Sequence, residues 1–141
     1  MQTEPEKTDV LALAFLGDAV WELAVRQRIL REGSAVRADR LHRQAVRYVS
    51  AAPQAGAVKA MMESGFFTED EEALLRRAHN HKIATKPKNA DPVTYKWATA
   101  FEALLGYLDL SENSARLSEV MLKAFEIMEG RSSEDTEKHN A

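Results

Sequence analysis

An all-α fold in a single domain is predicted by three observations. Apolar residues recur at helical spacing in almost every segment. Capping and helix-breaking residues punctuate the chain at helix-length intervals. No segment alternates apolar and polar residues as a half-buried strand would, and neither a repeat nor a domain boundary is visible. The 141 residues are 45% hydrophobic, enough for one compact domain with a real core.

Thr8 or Asp9 can cap a long amphipathic helix that runs to about Glu32 and stops at Gly33-Ser34. A second helix covers roughly Arg37 to Val49. Ser50, with Pro53 near the first turn, opens a third that ends near Ser64-Gly65. Thr68-Glu-Asp-Glu71 has capping-box spacing and starts a fourth, to about Asn80. His81 to Ala90 is polar, basic and interrupted by Pro87, so it reads as a loop. Asp91-Pro92 supplies the cap and first position of a helix through Asp109, and a last helix spans Ser114 to Glu129 and ends at Gly130. Residues 1–8 are expected to be a flexible N-terminus and 9–130 the folded domain. The polar stretch 131–141 lacks apolar periodicity and is expected to be a disordered tail.

The absence of cysteine excludes disulfides, iron–sulfur clusters, thiolate zinc sites and cysteine nucleophiles. Hydrophobic runs stop well short of the roughly 18 residues of a membrane span. The first residues lack the basic-then-apolar order of a secretory signal. A soluble cytoplasmic protein is the expectation.

A net charge of −3 argues by itself against a nucleic-acid partner, but the distribution of charge does not. Arg40 to Met62 contains no acid against Arg40, Arg43, Arg47 and Lys59. Ala73 to Ala90 contains none against Arg76, Arg77, Lys82, Lys86 and Lys88, with His79 and His81 besides. A basic surface on an acidic protein is therefore feasible. Arg76, Arg77, Asn80, Lys82, Lys86 and Lys88 form a candidate phosphate-tracking strip for RNA, against the plainer reading of lysines on a solvated loop.

Two carboxylates lie in the most apolar helical stretches: Asp18 in Leu11-Ala-Leu-Ala-Phe-Leu-Gly-Asp18-Ala-Val-Trp, and Glu102 in Thr99-Ala-Phe-Glu102-Ala-Leu-Leu-Gly-Tyr-Leu. Taking an ionised carboxylate out of water costs several kcal/mol unless a positive group meets it. Neither acid has a basic neighbour in sequence, so a shared divalent cation is the simplest partner. Two carboxylates on different helices match what Mg²⁺ takes from a protein, and such an ion activates water for phosphodiester hydrolysis. The bland alternatives are a solvated Asp18 at the edge of its apolar stripe and a Glu102 on an exposed one. Gly17, unfavourable in mid-helix, permits close approach of another helix or of a dimer partner. Glu22, one turn past Asp18, is either a second ligand on that helix or ordinary surface. The histidines read as surface or RNA-facing groups, and Trp21, Tyr95, Trp97 and Phe101 as core.

Phe15-Leu-Gly-Asp18-Ala-Val resembles the signature helix of the ribonuclease III family, and Phe101-Glu-Ala-Leu-Leu-Gly106 resembles that family's second metal-binding helix. Gly65-Phe-Phe-Thr-Glu, Arg76-Arg-Ala-His-Asn80 and Pro87-Lys-Asn-Ala-Asp91 extend the likeness over about residues 9 to 129. It is closest to the Mini-ribonuclease III branch, whose chain is the catalytic domain without a double-stranded-RNA-binding domain. The resemblance implies that Asp18 and Glu102 are catalytic metal ligands. It also implies Mg²⁺-dependent cleavage of both strands of duplex RNA by a homodimer, with Mn²⁺ able to substitute. Products would carry 5′-phosphate and 3′-hydroxyl ends. The implied substrate is precursor 23S ribosomal RNA, matured at both ends in the bacterial cytoplasm, with a ribosomal protein as a further candidate partner. Ala14 and Thr99 stand where the larger enzymes of the family carry two more acids, and the short branch shares both losses. A further metal-linked glutamate of the wider family falls near Asp39. The alternative reading is a catalytically weak or inactive dimer of the same fold that binds structured RNA or the ribosome.

Overall fold

The computed structural model describes residues 4–33, 37–81 and 91–130. Among them are six α-helices and no strand: α1 Val10–Glu32, α2 Ala38–Val49, α3 Ala51–Glu63, α4 Glu69–His79, α5 Pro92–Leu110 and α6 Ser114–Met128, preceded by a 3₁₀ turn at Pro5–Lys7. The chain is all-α, as predicted, and each helix starts and stops within about a residue of its sequence signals. The expected tail, 131–141, and most of the expected basic loop lie outside the described residues.

Local chemistry accounts for the boundaries. The Asp9 carboxylate accepts from the Leu11 amide at 3.2 Å, and Gly33 closes α1 with φ of 65°. Both arms of the Thr68–Glu71 capping box are formed. Asp91 accepts from the Thr94 amide with Pro92 in the first turn, and Asn113 caps α6. Ser50 stands where α3 opens, as expected. Its hydroxyl donates back to the Val46 carbonyl at 2.6 Å instead of capping α3, and its extended backbone turns the corner between α2 and α3.

Helix α5 is the axis of the domain, packed by α1, α3, α4 and α6. From Ala98 to Gly106 every residue is buried except Glu102, which is half-buried. Trp21 of α1 is fully buried beside it, edge-on to Phe101 at 5.1 Å and stacked on Phe125 of α6 at 4.5 Å. The Trp21 indole N–H donates to the Tyr48 carbonyl at 2.9 Å, which ties the end of α2 to this core.

Two bidentate arginine pairs fasten the periphery. Arg116 of α6 grips the buried Glu71 carboxylate at 2.9 and 2.7 Å and donates to the Phe66 carbonyl. Arg28 of α1 grips Glu129 at 2.9 and 2.7 Å, and the Tyr48 hydroxyl donates to the same carboxylate. Glu71 is held below the usual carboxylate range: its burial opposes ionisation, but the hydrogen bonds from Arg116 and Thr68 outweigh it.

The tightest contact is between backbones. A Cβ on Gly17 of α1 would land on the Glu102 carbonyl of α5, and one on Gly106 would land on the Leu13 carbonyl of α1. Both collisions are with backbone, so no side chain can swing aside. In contrast, a Cβ on Gly56, in α3, meets nothing. Ala normally stabilises a helix interior by about 0.5–1 kcal/mol relative to Gly. That gain is expected for Gly56→Ala, whereas Gly17→Ala and Gly106→Ala should each lose ~2–3 kcal/mol or more through overpacking. Urea unfolding of the three variants checks this; equal signs at all three positions would disprove the close crossing.

Candidate active site

The crossing of α1 and α5 builds the site. Asp18 directly follows the glycine that touches α5, and Glu102 is the residue whose carbonyl that glycine touches. Asp18 is exposed and Glu102 half-buried, and their carboxyl groups are joined by a hydrogen bond. The pairing needs no loop: it follows from two packed helices.

Its electrostatics are unfavourable in the absence of a cation. Burial pushes the Glu102 carboxyl up to about 9, reinforced by the hydrogen bond and charge of Asp18 and by the more distant charge of Glu22. All of these influences act in the same direction, and no arginine or lysine offsets them. At neutral pH Glu102 therefore holds a proton. A proton held this way is what a divalent cation would replace, and two oxygen donors backed by water suit a hard cation such as Mg²⁺. The residues thus fit a metal, as a minimal site. Among the described residues no group of three or more His, Asp or Glu side chains is disposed to hold one.

The remaining candidates are placed as follows. Glu22 lies one turn beyond Asp18, where it pairs with Arg26 at 3.6 Å and acts on Glu102 through space. Ala14 and Thr99 are both buried and bring no carboxylate; the Thr99 hydroxyl donates to the Tyr95 carbonyl at 3.0 Å. Asp39 is exposed on α2, engaged by Arg37 at 3.4 Å and Arg43 at 3.3 Å. Arg76 and Arg77 are exposed on the last turn of α4, and Asn80 is its exposed C-cap. Lys82, Lys86 and Lys88 lie outside the described residues.

Among the four aromatic residues read as core, Trp21 and Phe101 are fully buried, whereas Tyr95 and Trp97 are only half-buried. His79, read as a surface or RNA-facing group, is half-buried beside Trp97, with ring centroids 4.2 Å apart and the planes tilted by 35°. Sequence reasoning missed Gly106 as the counterpart of Gly17; a glycine amid buried apolar helix was the available signal.

The chain resembles known proteins over most of its length. Residues 11–113 match the family model of the ribonuclease III domain. The chain is 43% identical to a Mini-ribonuclease 3 of Brevibacillus brevis over 129 residues, covering 92% of this chain and 94% of that one. It is 46% identical to a Mini-ribonuclease 3 of Symbiobacterium thermophilum over 119 residues, covering 84% and 89%. A crystal structure of a Fusobacterium nucleatum protein superposes with a TM-score of 0.74 at 28% identity, covering 85% of this chain and 93% of that one.

A pH dependence follows from Glu102. Its folded value lies near 9 and its unfolded value near 4.5, so between them the folded state holds a proton that the unfolded chain releases. Stability from this group is complete below about 4.5 and is lost as pH rises towards 9. In EDTA, Glu102→Gln, which mimics the protonated acid, should match the parent melting temperature at the acid end and exceed it at pH 8. Millimolar Mg²⁺ should raise the parent midpoint and leave the variant's unchanged. Parallel melting curves for the two proteins at all pH values would refute the proton on Glu102.

Proposed function

The chain belongs to the ribonuclease III family, and on that footing we propose that it is a divalent-metal-dependent endoribonuclease that hydrolyses double-stranded RNA. The observation that carries the reading is the Asp18–Glu102 pair, two acids drawn together with no protein cation to offset them.

When bound between Asp18 and Glu102, a divalent cation supplies charge neutralisation at the phosphodiester and a water acidified for attack. Asp18, on the solvent side, faces the approaching RNA and orients the attacking water. Glu102, on α5 where that helix crosses α1, completes the site and gives up the proton it holds in the metal-free state. The water oxygen forms the new bond to phosphorus as the bond to the 3′-oxygen breaks and that oxygen takes up a proton. The products carry 5′-phosphate and 3′-hydroxyl ends.

A homodimer is part of the proposal. Leu11, Phe15 and Leu23 form an outward stripe on α1, and Phe15 is 85% exposed. An apolar stripe of that kind on the helix that carries Asp18 supports pairing of two copies, each with one site. Two sites account for cleavage of both strands. We further propose Mg²⁺ as the working ion with Mn²⁺ able to replace it, precursor 23S ribosomal RNA as the substrate, and the bacterial cytoplasm as the place. A ribosomal protein bound to that RNA is a further proposed partner. Among the described residues no helix is long and apolar enough to cross a membrane. One observation favours a second reading, a weak or inactive RNA-binding dimer: the site has two close carboxylates rather than a larger cluster.

Incubation of the purified protein with duplex RNA and Mg²⁺ should give cleavage, and with precursor 23S ribosomal RNA it should give discrete mature ends. Asp18→Asn and Glu102→Gln should each lower the rate at least ~100-fold, the scale of removing one electrostatic stabiliser of a transition state. Undiminished cleavage by Asp18→Asn would sink the site assignment. Binding without cleavage by the parent protein would establish the second reading instead.

A further inference from the structure

Helix α2 carries a feature that the carboxylate site does not use. Arg40, Arg43 and Arg47 stand at i, i+3 and i+7, so they share one face, and all three are exposed. The opposite face, with Leu41, Ala45 and Tyr48, packs into the core. Asp39 engages Arg43 and Arg37. Among the described residues no acid engages Arg40 or Arg47, and the Arg47 guanidinium lies over the Tyr48 ring at 5.6 Å. In a chain of net charge −3, this leaves an arginine stripe without enough counter-charge.

The position of α2 gives the stripe a direction. One flank of the helix, through His42 and Val46, lines a cleft of about 120 Å³ with Glu22 and Arg26 of α1. Glu22 is the acid whose charge reaches Glu102, so α2 borders the carboxylate site. The helix is also firmly held. The Trp21 indole grips its last turn through the Tyr48 carbonyl, and the Tyr48 hydroxyl is bonded to Glu129. Trp21 lies less than one turn from Asp18 on the same helix, so stripe and site move as one body.

We propose that the outer face of α2 is a second phosphate-binding surface, on which Arg40 and Arg47 hold the backbone of duplex RNA beyond the scissile bond. Arginine is suited to this because its planar fork meets phosphate oxygens in pairs. An acidic catalytic centre repels a polyanion, and cations beside it offset that repulsion without occupying the site. The contact is to backbone, so it carries shape and charge but no base sequence. The inference rests on the duplex-RNA reading and adds a site to it.

The test uses the full chain with Asp18→Asn to prevent cleavage, and measures anisotropy of a labelled RNA duplex between about 50 and 200 mM salt. Adding Arg40→Gln and Arg47→Gln should reduce the slope of log K against log salt by about two and weaken binding about ten-fold or more. Both side chains are exposed, so the melting temperature should not change; it is measured on the same samples. A parent that binds duplex with unaltered affinity and slope after both substitutions overturns the α2 surface and leaves the duplex-RNA reading standing. A parent that shows no preference for duplex over single strand overturns that reading, and the α2 surface with it.

Discussion

The contact on which the rest of the structure depends is the side-chain-free crossing of α1 and α5. With Gly17 against the Glu102 carbonyl and Gly106 against the Leu13 carbonyl, the two helices approach backbone to backbone. That approach places Asp18 and Glu102 within hydrogen-bonding reach. It also seats Trp21 between Phe101 and Phe125, from where its indole reaches the end of α2. A larger residue at either glycine would separate the helices, and with them the two acids. Packing and chemistry therefore share one geometric requirement.

Around this crossing the domain places its charges in two ways. The Arg116–Glu71 and Arg28–Glu129 pairs are matched, bidentate and linked to further hydrogen bonds, so burial is offset within the protein. Glu102 is the contrary case, a carboxyl drawn inward beside another acid with nothing positive to meet it. That contrast within one small domain is the physical argument for a ligand from outside. A structural acid is given a partner, and this one is not.

Much of the fold was legible in the chain because helix ends are local events. Asp9, Thr68 with Glu71, Asp91 with Pro92, and Asn113 each act within three residues of their own position, so their signals survive in the sequence. The acids were legible as misfits in apolar surroundings, but their adjacency is tertiary and no spacing encodes it. Gly106 was visible only as a helix-weakening residue, since its purpose lies in the Leu13 carbonyl of a distant helix. The contact of His79 with the Trp97 ring was hidden for the same reason, since that ring belongs to another helix.

The crossing also joins the two ends of the domain in time. Its partners come from the first and the fifth helix, with most of the chain between them, so it is a long-range contact of the kind that forms late. During synthesis α1 leaves the ribosome long before α5 exists, carrying Asp18 and its apolar stripe without a surface to pack on. The carboxylate pair cannot assemble until α5 has emerged. The geometry that joins the two acids therefore arrives only with the last third of the polypeptide.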